Sequence, residues 1–74
     1  MLFGKKLNTE RKKKHLSALA LANICDISRS YVTLMENGKR LPGKKLIPKI
    51  ARALCKKPNV IINWYLEDLR EKLQ

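Results

Sequence analysis

The sequence predicts an all-α domain, a compact bundle of five helices. Three observations point there. Apolar residues recur at helical three- and four-residue spacing in five stretches, no stretch alternates like a half-buried strand, and capping serines or prolines open most of the segments. The 74 residues allow a single domain, residues 1–74, because so short a chain buries only about 60% of its unfolded surface. With 45% hydrophobic but only 5% aromatic residues, its core must be aliphatic.

The first helix, expected over residues 2–15, carries Leu2, Phe3 and Leu7 on one side. It ends in Lys12, Lys13 and Lys14, which suit the negative end of the helix dipole. Ser17 can cap a second helix, expected over 18–24, in which Ala18, Leu21, Ala22 and Cys25 keep helical spacing. A tight turn through Asp26 leads to the third. There Ser28 is the cap, Val32 and Met35 share one face, and Gly38 stands just past the end, where a left-handed residue is wanted. Pro48 takes a first-turn position in the fourth helix, ahead of Ile50, Ala51 and Leu54, and Pro58 opens a fifth that runs to about residue 73.

The third helix is the most informative segment. Arg29, Ser30 and Thr33 project from its first turns, away from the apolar stripe, and the helix runs into a loop holding Lys39, Arg40, Lys44 and Lys45. Exposed hydrogen-bonding residues on a short capped helix beside a basic loop are the layout of a DNA-recognition helix; taken alone, the same residues also fit the solvent face of a surface helix.

Seventeen Lys and Arg against six Asp and Glu give a formal charge of +11. Residues 1–66 hold all of this excess, whereas Glu67, Asp68 and Glu71 stand against Arg70 and Lys72 at the end. A polyanion is the indicated partner, and nucleic acid fits better than a membrane surface, because the basic clusters fall at helix ends and turns. No run reaches the 18 to 20 apolar residues of a membrane span, and no signal peptide is visible, so a cytoplasmic, nucleoid-associated protein is expected. Cys25 and Cys55 fit no zinc spacing and read as buried, reduced thiols. Neither a metal nor another cofactor is expected. The single His lies beside lysines, no carboxylates pair, and the three glycines are isolated, so no catalytic constellation or phosphate loop exists and an enzyme is not expected.

Four blocks in order resemble a known family: Leu7 with Arg11; Leu16-Ser17-Ala18-Leu19-Ala20-Leu21-Ala22; Met35-Glu36-Asn37-Gly38-Lys39-Arg40-Leu41-Pro42; and Leu46-Ile47-Pro48-Lys49-Ile50-Ala51-Arg52-Ala53-Leu54. The chain is similar to the phage-repressor and Cro-like, or XRE-type, helix-turn-helix proteins. The resemblance implies a lambda-repressor-like bundle whose third helix enters the major groove of double-stranded DNA. It makes Arg29, Ser30 and Thr33 the candidate base readers. Arg29 can donate two parallel hydrogen bonds to guanine, Ser30 can donate or accept, and the Thr33 methyl suits a thymine methyl. Phosphate contacts are expected from Ser17 and the start of helix two, Tyr31, Asn37, Lys39, Arg40, Lys44 and Lys45. For Tyr31 the expectation is a ring packed under helix two with its hydroxyl on a phosphate. Lys12, Lys13 and Lys14 serve equally well as direct contacts or as long-range steering charges. The resemblance also implies an Arg11–Glu36 ion pair that ties the first helix to the end of the third.

Three positions depart from the family pattern. Ala18 replaces a usual Gln that bridges phosphate and recognition helix, and His15 and Asp26 stand where Gly ends helix one and forms the turn. Leu19 and Ala20 occupy positions that are commonly acidic, so Leu19 is either a lone exposed leucine or a partner contact. In helix five, Ile62, Leu66, Leu69 and Leu73 form a heptad-like seam, which either caps the monomer or, as the family's habit suggests, joins a homodimer through residues 58–74. The expected function is a sequence-specific transcriptional regulator, a repressor acting on a near-palindromic operator, of the size used by phages, plasmids, restriction-modification systems and toxin operons. The alternative is a protein-binding adaptor or antitoxin that holds its partner with helix two or five.

Overall fold

The computed structural model describes residues 2–72. Leu73 of the expected seam lies outside the described residues. Five helices and no strand form among them: α1 (Leu2–Lys13), α2 (Ala18–Cys25), α3 (Arg29–Glu36), α4 (Leu46–Ala53) and α5 (Pro58–Lys72).

The helix starts follow the capping signals. The Ser17 and Ser28 hydroxyls accept the N–H of Ala20 at 3.0 Å and of Tyr31 at 3.1 Å, each relieving an unpaired donor in a first turn. α4 starts at Leu46, so Pro48 is its third residue, where no N–H is needed for the helix ladder.

The ends of α1 to α4 share one device. A residue in the left-handed region breaks each helix, and the next N–H reaches back five residues to a carbonyl of the last turn. These bonds run from Leu16 to Arg11 (3.1 Å), Ile27 to Ala22 (2.9 Å), Lys39 to Leu34 (2.9 Å) and Lys56 to Ala51 (2.8 Å). Only one of the four left-handed residues is glycine, Gly38 at φ 74°; the others are His15 and Asp26, both at φ 58°, and Cys55 at φ 55°. This accounts for the two differences in helix length. α1 stops at Lys13 rather than at residue 15 because His15 has turned left-handed, and α2 gains Cys25 because the break comes at Asp26.

α2 packs on α3, α1 on both α3 and α5, and α4 on both α2 and α5. Their inner faces meet in one core that is mostly aliphatic but, against the all-aliphatic expectation, takes in Phe3 and Trp64: Phe3, Leu7, Leu21, Ala22, Cys25, Val32, Ile50, Leu54 and Ile61 are fully buried, with Met35, Leu46, Ala51 and Trp64 nearly so. Phe3 meets Trp64 edge to face, with ring centroids 6.2 Å apart, fastening α1 to α5. The radius of gyration, 11.2 Å, equals the roughly 11 Å expected for a folded chain of this length.

The two cysteines part company. Cys25 is buried, and burial pushes its thiol above the ordinary value, partly opposed by Lys49. Cys55, expected to be buried, is exposed, because its left-handed position carries it out of the core face of α4. Asp68 is the converse. Read as part of an acidic tail, it is 1% exposed, with neither carboxylate oxygen hydrogen-bonded among the described residues, a costly burial for a polar group.

Candidate nucleic-acid interface

α3 is short and two-faced. Val32 and Met35 turn into the core at 0–1% exposure, while Arg29, Ser30 and Thr33 are exposed on the other side and line one shallow hollow together with Leu34. The structure thus brings the three sequence-predicted base readers onto one surface and adds Leu34, 37% exposed, which sequence reasoning missed. The signal was present. Leu34 lies between Val32 and Met35 in sequence but about 100° or more from either around the helix axis, so helical geometry turns it away from the core.

The polar groups on this face differ in how free they are. Thr33 Oγ1 donates to the Arg29 carbonyl at 3.2 Å, so its proton is engaged within the helix. Arg29, Lys39, Arg40, Lys44 and Lys45 are exposed, and none has a carboxylate within ion-pair distance among the described residues, where the ion pairs engage Lys6, Arg11, Lys13 and Lys56 instead. Five uncompensated cations on one helix and its following loop make a strongly positive surface, able to neutralise phosphates without first breaking an internal pair.

Asn37 is exposed at the end of α3. Ser17 is exposed at the start of α2; its oxygen already caps the helix, which leaves its hydroxyl proton free to donate outward. Tyr31 is half-buried against the core, and the Arg40 guanidinium lies 4.4 Å from its ring centroid. That cation–π contact holds the basic loop against α3, a role for Tyr31 beyond the expected one. Lys13 and Lys56 both approach Oε1 of Glu10, at 3.7 and 3.6 Å, which partly neutralises the α1 end of the Lys12–Lys14 run; Lys12 and Lys14 remain exposed.

The far end of α3 is anchored. Arg11 Nε donates to Glu36 Oε2 at 2.7 Å and Nη2 to Oε1 at 3.1 Å, while Nη1 donates to the Leu16 carbonyl at 2.7 Å. Asn8 Nδ2 adds a bond to Glu36 Oε1 at 2.7 Å. The hydrogen bonds that Arg11 donates to Glu36 hold its guanidinium above its ordinary pKa, against a smaller opposing effect of burial. One turn earlier on the same stripe of α1, Gly4 touches the end of α3. A Cβ there would lie 2.5 Å from the Met35 carbonyl oxygen and 2.7 Å from that of Glu36, so only glycine lets the helices approach this closely. Gly4 and Asn8 were not picked out from the sequence, although the 4, 8, 11 spacing with Arg11 marks one face of a helix.

In α5, Ile62 and Leu66 are exposed and Leu69 is half-exposed, while Ile61 and Trp64 turn inward. α2 exposes Leu19 and Ile24, each by about half of its surface.

A family model described as helix-turn-helix matches residues 7–60. The ImmF control region 10 kDa protein of Bacillus phage phi105 is 42% identical over 55 residues, spanning 69% of this chain and 61% of its own length. Among solved structures, the restriction-modification controller protein C.AhdI from Aeromonas hydrophila superposes with a TM-score of 0.75 at 37% identity, covering 80% of this chain and 89% of its own. The c2 repressor of P22, solved with a synthetic operator, superposes with a TM-score of 0.77 over 82% of this chain and 92% of its own. At 21% identity, the latter likeness is one of fold.

Proposed function

We propose that this chain, which belongs to the helix-turn-helix family, is a sequence-specific DNA-binding transcriptional regulator that reads the major groove with the outward face of α3. The observation that carries this reading is the anchored, two-faced α3: Arg29, Ser30, Thr33 and Leu34 stand exposed, and the cations of the basic loop beyond them make no ion pair among the described residues. Arg29 is assigned to guanine through paired hydrogen bonds to O6 and N7, and Ser30 to a neighbouring base. Ser17, Tyr31, Asn37, Lys39, Arg40, Lys44 and Lys45 are assigned to phosphates, which set affinity and register.

The regulator acts as a homodimer through α5, where Ile62, Leu66 and Leu69 offer an apolar strip, and its operator is a near-palindrome with half-sites about one DNA turn apart. Repression is the assigned output. Kinship with a phage control-region protein and a restriction-modification controller supports a role in controlling a mobile or selfish element. No described helix is long and apolar enough to cross a membrane, and the site of action assigned is the cytoplasmic nucleoid.

Selection of bound sequences from a random DNA pool tests this, with wild type and Arg29→Ala in parallel. An enriched inverted repeat, with preference relaxed at one base pair per half-site in the variant, is the expected result. If about six phosphates are neutralised per dimer, the log–log salt dependence has a slope of roughly −5. Binding that tracks salt without any enriched sequence overturns the reading. A second reading, a protein-binding adaptor or antitoxin, draws on the half-exposed Leu19 and Ile24 of α2. In that case partner binding survives Arg29→Ala and fails on Leu19→Lys.

A further inference from the structure

We propose that Leu34 determines specificity by packing on the 5-methyl group of a thymine in each half-site; the inference rests on the DNA-reading role of α3 given above. Leu34 stands on the outward face of α3 in the same hollow as Arg29, Ser30 and Thr33, whereas Val32 and Met35 of that helix are buried. With the Thr33 hydroxyl proton bonded to the Arg29 carbonyl, the C-terminal half of this face offers the DNA an isobutyl group and a methyl, but no free side-chain donor. The N-terminal half is polar, with Arg29 and Ser30.

Base chemistry then selects the partner. Thymine alone among the four bases presents an apolar group on its major-groove edge. Leucine against any other edge covers donors and acceptors without replacing their hydrogen bonds, which is unfavourable. Five residues separate Arg29 from Leu34, about 7.5 Å along the helix axis, so the thymine lies about two base pairs from the guanine read by Arg29.

Deoxyuridine tests this directly, because it lacks only the methyl. Each thymine of the selected operator is replaced in turn, and the affinity of the full chain is measured for wild type, Leu34→Met and Leu34→Ala. At one position per half-site, wild type should lose about fourfold, the value of one buried methylene-sized group. Leu34→Met should keep that loss, and Leu34→Ala should abolish it. Replacing that thymine by 5-methylcytosine opposite guanine should retain more affinity than replacing it by cytosine. A loss of equal size in wild type and Leu34→Ala, or no position sensitive to the methyl, overturns the assignment of Leu34 while leaving a specific reader in place. Failure to enrich any operator instead counts against the DNA-reading role itself. Thermal melts of the Leu34 variants report folding independently of DNA.

Discussion

The two ends of α3 are built on opposite terms. At its C-terminal end the charge is committed: Glu36 receives three hydrogen bonds from Arg11 and Asn8, and Gly4 brings α1 against the last carbonyls. At its N-terminal end, and along its outward face, the bonds stay within the helix, Ser28 to Tyr31 and Thr33 to Arg29. The difference shows how a domain with little stability to spare can hold a recognition helix still. Rigidity comes from one buried, hydrogen-bonded end and one apolar face, which leaves the Arg29 and Ser30 side chains without a structural duty among the described residues. A reader whose base-contacting residues also held the fold would trade stability for every change of specificity.

Substitutions that break this contrast should rank accordingly. The largest effect is expected from Arg11→Ala, which leaves the mostly buried Glu36 carboxylate without its guanidinium and the Leu16 carbonyl without its donor. About 3 kcal/mol of stability should go, close to the whole stability of so small a domain. Chemical denaturation reads this, and a loss below about 1 kcal/mol would show that the anchored end is not what holds α3. Gly4→Ala should follow at roughly 1–3 kcal/mol, because backbone carbonyls rather than flexible side chains meet the new Cβ. A stabilised Gly4→Ala would show that the α1–α3 contact gives way easily.

Smaller and opposite in sign is the effect of relieving a left-handed residue. His15→Gly should stabilise by about 0.5–1 kcal/mol, and Asp26→Gly by less, since Asp tolerates this conformation better than most side chains. Thermal melts distinguish these from a neutral outcome. The smallest change is expected at the reading end. Arg29→Ala should move folding stability by no more than about 0.5 kcal/mol while weakening the preference for one base pair by about 1–3 kcal/mol. Loss of folding in this variant would erase the distinction between the two ends.

Most of the architecture was legible in the chain, because helical spacing, capping serines and prolines act locally. Ser17 and Ser28 cap where their positions indicate, and the five helices stand within a few residues of expectation. The positive balance and the four motif blocks pointed to the helix-turn-helix family, and the match over residues 7–60 agrees. Less legible were positions that look the same in sequence and differ in environment. Cys25 and Cys55 each close an apolar run, yet one is buried and the other exposed, because the left-handed break falls on Cys55 itself. Leu34 and Met35 are adjacent apolar residues on one helix, alike in hydrophobicity, and only their positions about 100° apart around the helix axis separate them into a surface residue and a core residue.

By itself the sequence determined the class of fold, the number and order of helices, and the sign of the surface charge. Each of these depends on composition or on neighbours a few residues away. Only the tertiary structure decided that Gly4 and Asn8 work together with Arg11 at the end of α3, that Arg40 lies over Tyr31, and that Asp68 is buried. Those depend on contacts between residues far apart in the chain or on which side of a helix meets the core. Both are set by the simultaneous packing of all five helices, which no local pattern encodes.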